Sequence, residues 1–490
     1  MSEPVTAAGG VRYETVDKQA YLQKRGLKRY ARVVHLWALG VGAVISGEFS
    51  GWNFGLEYGF WGLLIANLFI TVMYFGLIFC IAEMSPALPH TGAAYSFARS
   101  SMGPWGGYVT GLAENMEYIL TPAVIVVFCG DYLEAIFPGL LPRPAWWLIL
   151  YTIFTGLNVW GVEISFRFAV FITILAMAIL VLFYVTAIPH VDFNQWALSV
   201  PPAEGGSRFL PKGVSGIFFA LPFAIWFYLA IEEVPLAAEE TMDPARDVPK
   251  GIIAGMGTLT VLAFLVLFFN SSIAPGAEGI KASGAPLNDG LKTIFGAGLS
   301  TKVLSLVALA GLVASFHTII FAFGRQIYSL SRAGYFPRFF SLTHPARKTP
   351  WVALLCGSIM GFIVALVIYK AGMTTAVGAT LLNMAVFGAV ISYGLQTLSF
   401  ILLRLRRPNV TRPYRSPWGI PGAVIAGMIA LATLIALFVN PAYKTVIFGV
   451  AIWYVLGLAY FVFYGRHRLV AQAPEEEFAL LIEAGKELKR

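Results

Sequence analysis

Three glutamates stand where hydrocarbon is expected. Glu48 lies in GVGAVISGEFSGW (40–52), Glu117 in GLAENMEYIL (111–120) and Glu232 in WFYLAIEEVP (226–235). A carboxylate at mid-depth in a bilayer costs about 2.5 to 3.5 kcal/mol on insertion scales, so it persists only where it faces a cavity, a partner or a ligand. At about 1.5 Å of rise per residue, Glu48 is roughly 20 Å into its span, and Glu117, following Pro104 in the next odd-numbered span, is about as deep. No Lys or Arg falls at matching depth. Either some of these acids hold a proton at neutral pH, or a cation from outside balances them. Trp226, Phe227, Tyr228 and Tyr118 are placed where a ring face could meet an ammonium group, which favours a small organic cation. Glu57, Glu83, Glu134, Glu163, Glu239 and Glu240 lie at span ends and read as structural pairs, the last two ahead of a loop with Arg246 and Lys250. Glu114 and Asp131 stay open, and Glu233, about 100° around a helix from Glu232, should not share its direction.

The elements that must position these groups follow from hydropathy. Of 490 residues, 58% are hydrophobic and 12% charged, with a mean hydropathy of +0.73, which describes a polytopic membrane protein. Windows of about 20 apolar residues predict twelve transmembrane helices, near 34–58, 60–84, 104–133, 144–162, 167–188, 213–241, 250–273, 302–331, 350–369, 375–403, 418–439 and 442–464. Two of them read as broken. In the first, glycines at 40, 42, 47, 51 and 55 weaken the helix by up to about 1 kcal/mol each relative to alanine, and a break is expected near 45–48. The sixth holds Pro222 and Pro235 around its glutamate pair and should unwind near 227–232. Spans one and six run in opposite directions and are five apart, the signature of a five-plus-five inverted repeat whose broken helices face a substrate cavity; spans eleven and twelve are appended.

Charge sets the expected orientation. Most of the 34 Lys and Arg fall in segments that are inside if the N-terminus is cytosolic, so both termini are expected in the cytosol of a multi-pass plasma (cytoplasmic) membrane protein. The same topology accounts for the net charge of +8 without nucleic acid. The first 33 residues show no short apolar stretch before a small-residue cleavage site, so the first span itself is expected to insert. The expected organisation is an N-terminal tail (1–33), a ten-helix transport core (34–403), a basic loop (404–417), helices eleven and twelve (418–464) and a C-terminal tail (465–490). In that tail Phe478, Leu481, Ile482 and Leu488 share one helix face that should pack on the cytosolic surface. Cys80, Cys129 and Cys356 lie in different spans without ligand spacing, so neither disulfide nor metal is expected, and no cofactor.

Four stretches resemble the amino acid/polyamine/organocation superfamily of permeases: GVGAVISGEF its glycine-rich first helix, EMSPALPHTGAAYSFARSSMGPWGGYVTG its second-to-third-helix signature, AAEETMDPARDVPKGI the segment after its sixth helix, and GRQIYSLSRAGYFP (324–337) the end of its eighth. The resemblance implies a twelve-helix fold with the five-plus-five repeat. It implies that Ser46 and Gly47 lie in the unwound part of helix one, whose free amides hold a substrate carboxylate. By the same resemblance Trp226 is an aromatic gate, Glu232 a substrate-sensing acid, and Glu117 and Tyr118 line the pocket. Two positions depart from the pattern. Glu48 stands where amino acid permeases carry an apolar residue, and an acid there should repel a carboxylate in a low-dielectric site. Ala176 stands where some proton-coupled members have a lysine. SGEFSGWNFG resembles the ethanolamine permease branch, which implies import of a carboxyl-free cationic amine by symport with H+ or Na+. Glu48, Glu232, Ser315 and His317 are then candidate coupling residues, although a histidine in that place equally serves as a hydrogen-bonded packing group.

The partners expected are thus a small cationic amine, the lipid bilayer and a coupling ion. A cationic amino acid or polyamine permease of the same superfamily is the alternative, and a transporter-like sensor the reading from another class. An enzyme is not expected, because no nucleophile with a base, metal spacing or phosphate loop is present in the sequence.

Overall fold

Hydrocarbon leaves the backbone no water to bond with, so long apolar segments must satisfy their own amides and carbonyls as helices. The computed structural model describes residues 5–7, 10–296, 298–370, 377–440 and 443–487. Among them, eight helices are long and apolar enough to cross a membrane: Phe60–Ala87, Ala93–Glu134, Val162–His190, Pro244–Ser271, Lys302–Arg332, Asn383–Arg406, Gly419–Val439 and Lys444–His467. A ninth candidate is the bent pair Val33–Phe49 and Trp52–Tyr58. The spans expected at 144–162, 213–241 and 350–369 correspond to the shorter helices Arg143–Trp160, Gly213–Ile225 and Trp351–Lys370. Residues 375, 376 and 442 of the expected tenth and twelfth spans lie outside the described residues. This is an all-α polytopic membrane protein; its flanks carry large exposed apolar side chains such as Phe171, Val455 and Phe463, suited to lipid.

The third span is one run, Ala93–Ile136, only in its hydrogen bonding. Gly103 breaks it with φ 82°, a value that glycine adopts without strain, and Pro104 starts the membrane part. Spans three, eight and ten pack together, and span one lies against spans five, seven and eight.

Span one has two interruptions where one was expected. At 45–46 the ladder is opened by a side chain: the Ser46 amide, which would donate to the Gly42 carbonyl, donates to the Ser315 hydroxyl at 2.8 Å, and that hydroxyl donates on to Gly42 at 2.7 Å. The helix resumes over Ser46–Phe49. The bend itself, 46°, comes later, at Ser50 and Gly51, where Gly51 has φ +99°. Span six follows expectation. Its helix ends at Ile225, residues 226–230 form turns, and a 3-10 segment over Ile231–Glu240 follows an Ala230 with φ 81°. A left-handed alanine is uncommon and persists only when its surroundings hold it.

The tails depart from the all-helical pattern. Strands β1 (Val5–Ala7) and β2 (Val11–Glu14) pair antiparallel, and β2 pairs parallel with β3 (Leu469–Val470), so both tails meet at one end of the bundle. The C-terminal helix Pro474–Glu487 docks by only part of the expected apolar face: Phe478 packs on the core, its ring 6.0 Å from that of His90, but Leu481 turns outward. Glu475, Glu476 and Ala479 are buried while Leu481 is 68% exposed. The reason is electrostatic: Glu476 meets the buried Arg99 at 2.7 Å and Glu475 meets Arg332 at 2.6 Å, and buried guanidiniums hold the helix by its acidic turn. The side chain of Ile482, and Leu488 altogether, lie outside the described residues.

Candidate functional site

The two breaks touch. The indole N–H of Trp226, in the span-six turn, donates to the Ser50 carbonyl at 2.7 Å. A side chain on Gly47 would stand 2.2 Å from the Trp226 carbonyl, and one on Gly51 would collide with the indole. Glycine at 47 and 51 is therefore what allows the broken helices to approach. Phe227 stacks on Trp52 with centroids 5.5 Å apart, and the Tyr228 hydroxyl shares a 2.8 Å hydrogen bond with Thr71.

Around these turns lie the acids. Glu48, Glu117, Glu232 and Glu233 are all buried; Glu48 and Glu233 have no hydrogen-bond partner, whereas the Glu117 and Glu232 carboxyls face each other, with the Tyr393 hydroxyl beside Glu232. Among the described residues none of the four has a basic side chain within ion-pairing distance. Glu117 is within electrostatic range of Glu232, Glu114 and Glu233. Glu48 stands apart from that group, beside Tyr184 and Tyr228. Tyr74 connects the two places: its ring is 5.2 Å from that of Tyr228, and it neighbours both Glu232 and Glu117. Tyr118 is buried among the grouped acids with its hydroxyl unpartnered. Buried acids without a basic partner, set among tyrosines, form an arrangement that either bound protons or a cation would complete.

Tyr74 and Tyr393 carry no signal in the sequence, where Glu114 stays open and Arg325 reads only as part of a basic span end. Tyr74 and Tyr393, from spans two and ten, join hydroxyls at 3.0 Å, and Tyr393 neighbours Glu117 and Glu232. Glu114 accepts from the Gln326 side chain at 2.7 Å. Arg325 corrects the expectation that basic residues keep to the span ends without reaching the acids. It is fully buried, binds Glu240 through two hydrogen bonds of 2.9 Å and acts on Glu233. Tyrosines at apolar spacing look like ordinary core, and only the crossing of three helices turns them toward one place.

Of the six peripheral acids expected to pair, Glu83, Glu163, Glu239 and Glu240 do, whereas Glu134 and Glu57 have no ion pair among the described residues. Glu83 binds Arg404 and Arg412, Glu163 binds Arg167, and Asp131 binds Arg143. Glu239 and Glu240 take Arg332 and Arg325 from span eight in place of the nearby Arg246 and Lys250. Glu134 accepts the Gly139 amide at 3.0 Å. Glu57 lines a cavity of about 510 Å³ with Lys212, Lys281, Tyr58 and Tyr443, which does not reach the central acids.

Ser315 and His317 are both engaged. Ser315 fills the Gly42–Ser46 gap, so the Ser46 amide is occupied. His317 is buried, with Nδ1 3.2 Å from the Asn158 amide nitrogen and Nε2 3.0 Å from the Ser165 hydroxyl.

Comparison with known proteins fits this architecture. A family model described as amino acid permease matches residues 33–463. An uncharacterized transporter of Rhizobium meliloti is 28% identical, over 92% of this chain and 94% of its own length. The methylthioribose transporter of Bacillus subtilis is 25% identical over 93% and 97%, and its branched-chain amino acid permease BcaP 25% over 90% and 94%. With broken spans in contact and the family pattern extending over nearly the whole helical bundle, the chain belongs to the amino acid permease family.

Proposed function

We propose that this permease imports a small organic amine without a carboxylate, ethanolamine being the leading candidate, by alternating access across the plasma membrane with both termini in the cytosol. The observation that carries the reading is the set of buried acids at 48, 117 and 232 with no basic partner among the described residues. It is supported at the other end of the substrate: the Ser46 amide, needed to hold an α-carboxylate, already donates to Ser315. The ammonium group is held by Glu48, Glu117 or Glu232, with Tyr118, Phe227 and Tyr228 around its methylenes, while Ser46 and Gly47 shape the helix-one break. Spans one and six rock against the rest, and Trp226, bonded to Ser50, closes the path. A proton or sodium ion drives uptake.

The substrates named for the relatives, methylthioribose and branched-chain amino acids, differ from each other, so family membership alone does not choose among them. A cationic amino acid or polyamine remains the second reading, favoured by the grouping of Glu114 and Glu233 with Glu117 and Glu232, more negative charge than one ammonium needs. Radiolabelled ethanolamine uptake into proteoliposomes, with imposed proton and sodium gradients and competition by serine, arginine and putrescine, separates the readings. Strong inhibition by serine with none by unlabelled ethanolamine overturns the first.

A further inference from the structure

We propose that the C-terminal helix is a latch on the movement of span six. Beyond its break, span six carries Glu232 and Glu233 and ends in Glu239 and Glu240, and that end is gripped by two guanidiniums of span eight, Arg325 on Glu240 and Arg332 on Glu239, the second of which also grips the tail. Arg332 donates to Glu239 at 2.8 and 2.5 Å and to Glu475 at 2.6 Å. Glu475 further accepts from Ser329 at 2.5 Å, and its neighbour Glu476 accepts from Arg99, Tyr13 and Tyr335 at 2.7 to 2.9 Å.

The N-terminal segment belongs to the same assembly. The amides of Tyr30 and Ala31 donate to the Glu240 carbonyl, the Met242 amide donates to Ala31, and the Tyr21 hydroxyl donates to the Arg332 carbonyl. Strand β3 is seated on the span-eight end through the Val470 amide and the Ala333 carbonyl.

A planar guanidinium can serve two carboxylates at once where an ammonium holds one point. With Glu475 in place the Arg332 guanidinium is buried, the side chains of Arg332 and Glu475 being 3% and 0% exposed, and only the Glu239 side of the contact, 22% exposed, meets solvent. With the tail lifted, water reaches the contact and screens it. Span six is then held to span eight by the Arg325–Glu240 pair alone and swings from it more often. The C-terminal helix thus sets how often this end of the transporter opens, whichever substrate crosses.

Hydrogen–deuterium exchange on the full-length protein in lipid nanodiscs tests this without any substrate. In Glu475→Gln/Glu476→Gln, amides of 231–242 should exchange about tenfold faster together with those of 465–487, as expected when a local opening equilibrium moves by a decade. Glu475→Asp/Glu476→Asp, which keeps the charges, should stay close to native. Faster exchange confined to the tail and strand β2 would overturn the latch and leave the helix an anchor only. If the double glutamine variant does not fold, Arg332→Lys answers the same question: it retains the charge but not the fork, and unchanged exchange over 231–242 there would equally overturn the proposal.

Discussion

Ser315 supplies from span eight the link that span one lacks in its own backbone, standing between the Ser46 amide and the Gly42 carbonyl at 2.8 and 2.7 Å. Removing the hydroxyl leaves a buried donor and a buried acceptor facing each other across a gap. Ser315→Ala should therefore lower stability by about 1 to 3 kcal/mol, read as a fall in the thermal unfolding midpoint of the purified protein. Ser315→Thr, which restores a hydroxyl, should recover part of it.

Trp226→Phe keeps the ring but removes the N–H that reaches Ser50. A hydrogen bond of about 0.5 to 1.5 kcal/mol holding a gate shut corresponds to about two- to tenfold in the closed fraction. The dissociation rate of bound radiolabelled amine should rise by that factor, with the amount of folded protein unchanged. An unchanged rate would remove Trp226 from the gate.

Glu48→Gln separates function from stability. Loss of a desolvated charge partner should lower amine uptake at least about tenfold. The same change removes a buried carboxylate that has no protein partner, so the unfolding midpoint should hold or rise. A fall in both would mark Glu48 as a structural residue.

Much of this arrangement was legible in the sequence, and the remainder was hidden for definite reasons. Apolar length revealed the spans, because hydrocarbon thickness is a property of the solvent. Gly47, Gly51, Pro222 and Pro235 announced broken helices through backbone chemistry alone. Partner choice was not legible: Glu239 and Glu240 ignore Arg246 and Lys250, a few residues away, for Arg332 and Arg325 on another span. The second break in span one escaped because a bend depends on what packs beside it. The tail helix packs through Phe478 as its apolar face implies, but docking by Glu475 and Glu476 was not legible, because their partners Arg332 and Arg99 are more than a hundred residues away.

His317, hydrogen-bonded to Asn158 and Ser165 and packed 4.9 Å from the Phe168 ring, is built as a packing residue. His317→Gln should cost about 1 to 3 kcal/mol of stability while the pH profile of uptake stays in place. A displaced profile would return it to the coupling residues.

Gly47→Ala puts a methyl group against a backbone carbonyl that cannot rotate away. Overpacking of about 1 to 3 kcal/mol should follow, borne by the contact between the two breaks. Uptake should fall far more than for Gly156→Ala, where an added methyl meets nothing within 4 Å.

The parallel pairing of β2 with β3 has an outcome for biosynthesis. Tyr13 and Glu476, joined by a hydrogen bond, are 463 positions apart, so the first strand leaves the ribosome long before its partner exists. Until then Arg99 lacks Glu476, and Arg332 keeps Glu239 but lacks Glu475, so a chain that stalls after its last span leaves both guanidiniums short of a carboxylate at the bundle end. Completion of translation is thereby written into the fold as a late ionic closure, one that quality-control proteases could distinguish from an unfinished product.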